Sequence, residues 1–428
     1  MLRTIATIIT VAAATLAFPL KAEVIAITGG QVHTLGEAGV LEDATVLIRD
    51  GRIEAVGQDV SIPNDARRID AEGRPVTPGI IDAHGQIGLV EVSAVSGSND
   101  GAVSGRAFTA AFDVADAINP ASALIPINRV EGITRAVVAP GHGGGGSLIA
   151  GQGAIIDLGN GYDTLTRQGA AMYASLGETG AQLSGGSRAA AMLHLREALQ
   201  DAQDYQDNRA DYERRERREY ALGRLDLDAL GPVLEGEMPL IINAHRASDI
   251  RAALRLATDF DLQLVIRGGA EAWKVAEELA AVDVPVLIDP LQNLPGNFES
   301  LGSTLENAAR LHEDGVRFAF ATGDSHNARN ITQAAGNAVA HGLPHEAAMA
   351  AIMSVPADIW SIEDRVGRLE SGLEADLVIW DGDPLDVTSY PDHVFIRGAE
   401  MPMETRHTRL RDRYLEVHDL TLPLAYPR

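Results

Sequence analysis

Several short apolar runs of this chain end in a side chain able to ligate a cation or move a proton. His84 closes Gly79-Ile80-Ile81-Asp82-Ala83, and His245 follows Pro239-Leu240-Ile241-Ile242-Asn243-Ala244. Asp289 follows the run from Val284 to Ile288, and Asp324 comes just after the run from Val316 to Ala321. Gln86 lies two residues past His84, and Arg267 and Gly268 end a further run from Leu262 to Ile266. A lone histidine at a strand end is more often a satisfied polar residue than a ligand. Convergence of several such ends on one rim is the stronger signal. Two further imidazoles lie close by: His142, within Pro140-Gly141-His142-Gly143-Gly144-Gly145-Gly146, and His326. No Lys-Ser/Thr follows the glycines, so they do not form a phosphate-cradling loop, and no Gly-x-Ser-x-Gly elbow is present. His33, His194, His312, His341, His345, His393, His407 and His418 are assigned to structural or surface roles.

Such a rim needs a scaffold of strands alternating with helices. Helical stretches are expected at Ser248 to Ala257, Ala270 to Ala281 and Thr304 to Glu313. Alternation over this length predicts parallel strands with crossover helices, an α/β (β/α)8 TIM-like barrel whose site lies at the C-terminal ends of its strands. Both ends of the chain read differently. Asp50-Gly51 between two apolar runs predicts a hairpin, and Ala375 to Trp380 with Val394 to Gly398 gives a matching strand-and-turn pattern. The barrel is therefore expected to be inserted in a small β-sandwich domain built from both ends, with boundaries at 23–77, 78–362 and 363–428. The densely mixed-charge segment Leu193 to Arg224, which includes Glu213 to Glu219, predicts a solvated helix held by side-chain pairs. Ser93 to Pro126 reads as a long loop over one end of the barrel.

Composition narrows the chemistry. The 428 residues carry a formal charge of −25, which argues against a nucleic-acid partner. There is no cysteine, so thiolate metal sites, disulfides and cysteine nucleophiles are excluded. Lys21 and Lys274 are the only lysines. The first 22 residues, with Arg3 before an apolar run from Ile5 to Phe18, read as a signal peptide cut near Ala22, for a periplasmic or secreted protein with no membrane attachment after cleavage.

Val76-Thr77-Pro78-Gly79-Ile80-Ile81-Asp82-Ala83-His84-Gly85-Gln86-Ile87-Gly88 resembles the segment that opens the barrel in the amidohydrolase superfamily. Asn243 to Ile250 resembles a second signature, of the imidazolonepropionase-like branch, and Gly367 to Trp380 is similar to the segment that re-enters the small β domain. The resemblance runs from about Ile27 to Gly398. It implies one divalent metal, zinc, held by His84, His245 and Asp324, with Gln86 and His142 as weaker donors and Asp324 taking the proton of the attacking water. The implied activity is hydrolysis of a non-peptide or dipeptide-like carbon–nitrogen bond in a small molecule; a homodimer is a common outcome for barrels of this size. The departures are specific. Gln86 stands where the family's first strand has a second histidine, Gly268 stands where a later strand has one, and Lys274 falls in a predicted helix where it cannot bridge two metals. Restoring histidine at 86 and 268 together is expected to restore metal affinity. The departures also define an alternative, a metal-free barrel that binds a small ligand or partner without turnover.

Overall fold

The computed structural model describes residues 24–105 and 109–415. The expected signal peptide and His418 lie outside the described residues. Among the described residues no helix is long and apolar enough to cross a membrane.

The fold is mixed α/β and holds two eight-stranded sheets. The first sheet draws on both ends of the chain. Its strands are β1 (Val24–His33), β2 (Val40–Arg49), β3 (Arg52–Gly57), β4 (Arg67–Asp70) and β5 (Pro75–Pro78), joined by three late strands. The second sheet runs from β6 (Ile80–Gly85) through β7 (Ile133–Val138), β8 (Ile149–Asp157), β9 (Leu165–Ser175), β10 (Leu240–Ala244), β11 (Leu264–Gly268) and β12 (Val286–Ile288) to β13 (Phe318–Phe320). The late strands of the first sheet are β14 (Leu377–Trp380), β15 (Pro391–Ile396) and β16 (Ala399–Glu400). β14 pairs with β5 and β15, which links the chain's two ends into one hydrogen-bonded sheet. Asp50 and Gly51 both take positive φ, 52° and 80°, as the tight turn between β2 and β3 requires.

The second sheet is a nearly closed barrel. The seam between β13 and β6 is bridged by residues Ala351 and Ile352, whose carbonyls accept from Phe320 N and Ile81 N at 3.0 and 2.9 Å. The barrel departs from a plain repeat at one strand. β8 runs antiparallel to both β7 and β9, so strand-to-strand turns replace two crossover helices there. Gly151, Gln152 and Gly153 interrupt the apolar pattern of β8, and Leu165 to Gly169 of β9 are exposed or half-buried and mostly polar or glycine, which leaves only the short run Ala170 to Ala174 to mark that strand.

Alternation along the strands divides the barrel residues between two cores. Ile81, Val137, Ile155, Tyr173, Ile241, Val265, Leu287 and Ala319 fill one cluster, the barrel interior. Their neighbours Ile80, Ile156, Ile242, Ile266, Val286 and Phe318 join the other, under the surrounding helices. The helix Ala247–Phe260 shows how those helices attach. Ile250, Ala253 and Leu256 form its buried stripe, and Asp261 ends it in the left-handed conformation.

The Glu213 to Glu219 stretch is not a continuous helix. Helices Arg188–Asp207 and Arg209–Glu213 precede it, and residues 214–223 are irregular. Its arginines reach back to the longer helix: Arg218 pairs with the fully buried Asp201, and Arg217 with Asp204. Pairing across the turn therefore joins the expected pairs along the chain, Arg209 with Glu213 and Asp211 with Arg214.

One buried ion network fastens the two sheets together. Arg135, fully buried on β7, donates from Nε to Asp376 at 2.6 Å, from Nη2 to Glu374 at 2.5 Å and from Nη1 to Thr166 at 2.9 Å. Arg365 holds the other Glu374 oxygen at 2.6 and 2.8 Å. Asp376 also accepts from the Arg397 backbone.

Candidate functional site

The barrel's strand ends set out a layer of inward-facing residues two positions beyond the interior core. Asn243 follows Ile241, Arg267 follows Val265 and Asp289 follows Leu287. Tyr173, paired with Ile241, lines the rim from the interior core itself. Two cavities open at this level. One, of about 250 Å³, is lined by His84, Gln86, His142, Tyr173, Asn243 and Arg267. The other, of about 400 Å³, is lined by Asn243, His245, Arg267, Leu287, Asp289 and Leu294. Asn243 and Arg267 belong to both, so the guanidinium stands in the wall between them.

Electrostatics follow from that position. Burial pushes the His84 imidazole well below its usual pKa, and the nearby Arg267 charge pushes it further. His245 is lowered by the same two causes in the same order. Both rings are therefore neutral near pH 7. Burial holds the Tyr173 phenol protonated, well above its usual range. Burial also pushes Asp82, beneath His84, up to about 7, and the neighbouring Asp324 charge adds to it. The protein environment lowers the Arg267 pKa from a very high starting value, so the group stays charged.

Several polar atoms here have no hydrogen-bond partner: Asp82 Oδ2, His84 Nδ1, Tyr173 Oη and His245 Nδ1. Unsatisfied buried groups are costly and mark places where something else binds or reacts. His84 and Tyr173 face each other with ring centroids 5.5 Å apart.

The sequence-expected metal ligands do not assemble. Among the described residues no group of three or more His, Asp or Glu side chains is placed to hold a metal ion, so His84, His245 and Asp324 do not form the expected zinc site. Physical causes are visible for each. Arg267 confronts both imidazoles with a fixed positive charge, which repels a divalent cation in this low-dielectric setting. Asp324 is committed to its own loop. Its Oδ1 accepts from His326 N and Asn327 N at 2.9 and 3.1 Å, and its Oδ2 accepts from the Asn327 side chain at 3.2 Å. Burial works against its charge, but these bonds win and hold its pKa below the usual value. The weaker donors are engaged as well. His142 bonds through both ring nitrogens, to Ser147 O at 3.0 Å and Ser175 Oγ at 2.7 Å, and Gln86 Nε2 donates to Ala139 O at 3.4 Å. Lys274 is ion-paired with Glu271 at 2.6 Å. The residues present do not fit a divalent metal.

Gly268 explains why a histidine is missing there. Its φ is +97°, and a Cβ on it would lie 2.6 Å from His245 Cε1. The His245 ring occupies the space that a side chain at 268 would need. The double replacement Gln86→His with Gly268→His is therefore expected to cost about 2 kcal/mol or more in stability, since positive φ alone costs 1–3 kcal/mol for a side chain. It should create no zinc-dependent rise in melting temperature. Denaturant unfolding with and without zinc checks both, and a zinc-dependent rise would contradict this reading of the rim.

Tyr173 is the functional candidate that sequence reasoning misses, since the alanine-rich run Ala170 to Ala174 is not among the barrel strands expected from sequence. Inward alternation two residues beyond Ala171 is the signal that could have found it.

Comparison with known proteins agrees with this architecture. Residues 189–403 match the Amidohydrolase family. The chain is 28% identical to an amidohydrolase from Thermotoga maritima MSB8 of known structure, with a TM-score of 0.79, covering 88% of this chain and 99% of that one. It is 25% identical over 388 residues to the amidohydrolase tasK of Hapsidospora irregularis, covering 83% of this chain but spanning 39% of that protein's length. Likeness to the imidazolonepropionase of Klebsiella pneumoniae (strain 342) is 54% over 46 residues, 11% of each chain.

Proposed function

The chain belongs to the amidohydrolase family, and from that premise we propose that it hydrolyses a non-peptide or dipeptide-like carbon–nitrogen bond in a small molecule outside the cytoplasm. The observation that carries the reading is the cavity at the barrel mouth lined by both His84 and Tyr173, side chains whose buried Nδ1 and Oη lack a hydrogen-bond partner. Family members use divalent metals, but the donor set of this chain does not fit one, so the chemistry is assigned to the side chains that are present.

In this reading the neutral His84 ring takes a proton from water as its oxygen adds to the carbonyl carbon. The carbonyl electron pair moves onto oxygen, where the Tyr173 hydroxyl donates to the developing charge. Collapse of the adduct re-forms the carbonyl and breaks the carbon–nitrogen bond, and the imidazole returns its proton to the departing nitrogen. Arg267 supports this by keeping the imidazole unprotonated before the attack.

The test is amine release from a set of small acyclic and cyclic amides by the purified chain. Release from at least one of them, proportional to enzyme, is expected; silence across the set would sink the reading. A second reading, a binding protein without turnover, is favoured by one observation, the Arg267 guanidinium lining both the cavity of His84 and the cavity of His245. It predicts saturable binding of a small molecule at the mouth with no amine released.

A further inference from the structure

Arg267 is a charged side chain turned inward at the top of a barrel, and among the described residues it has no carboxylate partner. Its one hydrogen bond is long, from Nη1 to Asn243 Oδ1 at 3.4 Å. Elsewhere the chain treats inward arginines differently. Arg135, on the same sheet, is gripped by two carboxylates. A guanidinium offers a planar fork of donors matched to a carboxylate, and withdrawing it from water without a counter-charge is unfavourable. The fork is therefore left for an anion that arrives from outside.

The cavity of about 400 Å³ describes the rest of that molecule. Leu287, Leu291, Leu294 and Ala321 give it an apolar wall beside the guanidinium. Leu291 and Leu294 are 45% and 72% exposed, as a loop would be whose apolar side chains face a ligand. Asp289 lines the same cavity and disfavours a second negative charge there.

We propose that Arg267 binds the carboxylate of an amphipathic monocarboxylate whose apolar body lies against Leu287, Leu291 and Leu294. Resting on the hydrolytic reading above, this names the substrate class as amides that carry one free carboxylate and an apolar group, such as N-acyl amino acids. Bound this way, the amide carbonyl extends past Arg267 towards His84 and Tyr173 in the adjoining cavity.

Calorimetric titration with N-acetyl-L-leucine and with its neutral analogue N-acetyl-L-leucinamide tests the proposal. The carboxylate should bind roughly tenfold or more tightly than the amide, as a charge-assisted pair implies. Arg267→Met should remove that discrimination. Leu294→Asp, on an exposed loop where folding is not at stake, should weaken carboxylate binding by roughly tenfold while the neutral analogue loses less. Equal affinity for the two probes, no binding of either, or discrimination that survives Arg267→Met would overturn the proposal. Failure here is separable from failure of the hydrolytic reading. Discrimination without amine release removes turnover and leaves the carboxylate site. Amine release without discrimination does the reverse.

Discussion

Replacing Arg135 with methionine should lower the unfolding free energy by about 3–5 kcal/mol, the largest stability effect expected of any single side chain here. The guanidinium is fully buried between Glu374 and Asp376, which lie more than 200 residues further along the chain, just before β14 of the other sheet. Methionine fills much of the volume but leaves Asp376 as a buried charge without a cation, while Glu374 keeps Arg365. The pH dependence has a definite sign. Burial works against the Glu374 charge, yet Arg135 and Arg365 outweigh it and the carboxyl pKa falls below its usual value. Its stabilisation is thus complete above the unfolded carboxyl pKa of about 4.3, and is lost as the pH falls through the lower folded value. Denaturant unfolding at neutral pH and at pH 3 checks both parts. The variant's deficit relative to the native chain should shrink at the lower pH, as protonation begins to remove the Glu374 charge that Arg135 compensates.

The largest effect on activity is expected from His84→Gln. Glutamine keeps a polar group of similar reach but cannot accept and return a proton, so kcat should fall by roughly 100-fold or more. Binding of N-acetyl-L-leucine should change little, since Arg267 and the apolar wall remain. Steady-state amine release together with titration of the same variant separates the two. A loss of binding with unchanged kcat would assign His84 a positioning role instead.

Much of the framework was legible because its signals are local. Asp50-Gly51 predicts its hairpin from turn geometry alone, and Ala247–Phe260 forms where the apolar stripe is spaced for a helix. The parallel strands from β10 to β13 are continuous apolar runs, the pattern of strands buried on both faces. What escaped depends on relations between distant residues. β8 and β9 hold together through pairing with each other despite glycines and polar positions. Tyr173 lies in a short, alanine-rich run, Ala170 to Ala174, that follows those positions and is not among the strands expected from sequence. The position of Arg267 at a strand end could be read, but its intrusion between two histidines could not. Family spacing placed His84, His245 and Asp324 in one ligand set, yet the hydrogen bonds from the 326–327 loop and the His245 ring packed on Gly268 give these residues other duties.

The central claim is that the resident cation of the barrel mouth is the guanidinium of residue 267. Metal content and amine release should be measured on untagged protein before and after exhaustive chelation. Far less than one divalent metal per chain and an undiminished rate after chelation are expected. One tightly held metal per chain, whose removal abolishes amine release and whose return restores it, would contradict it.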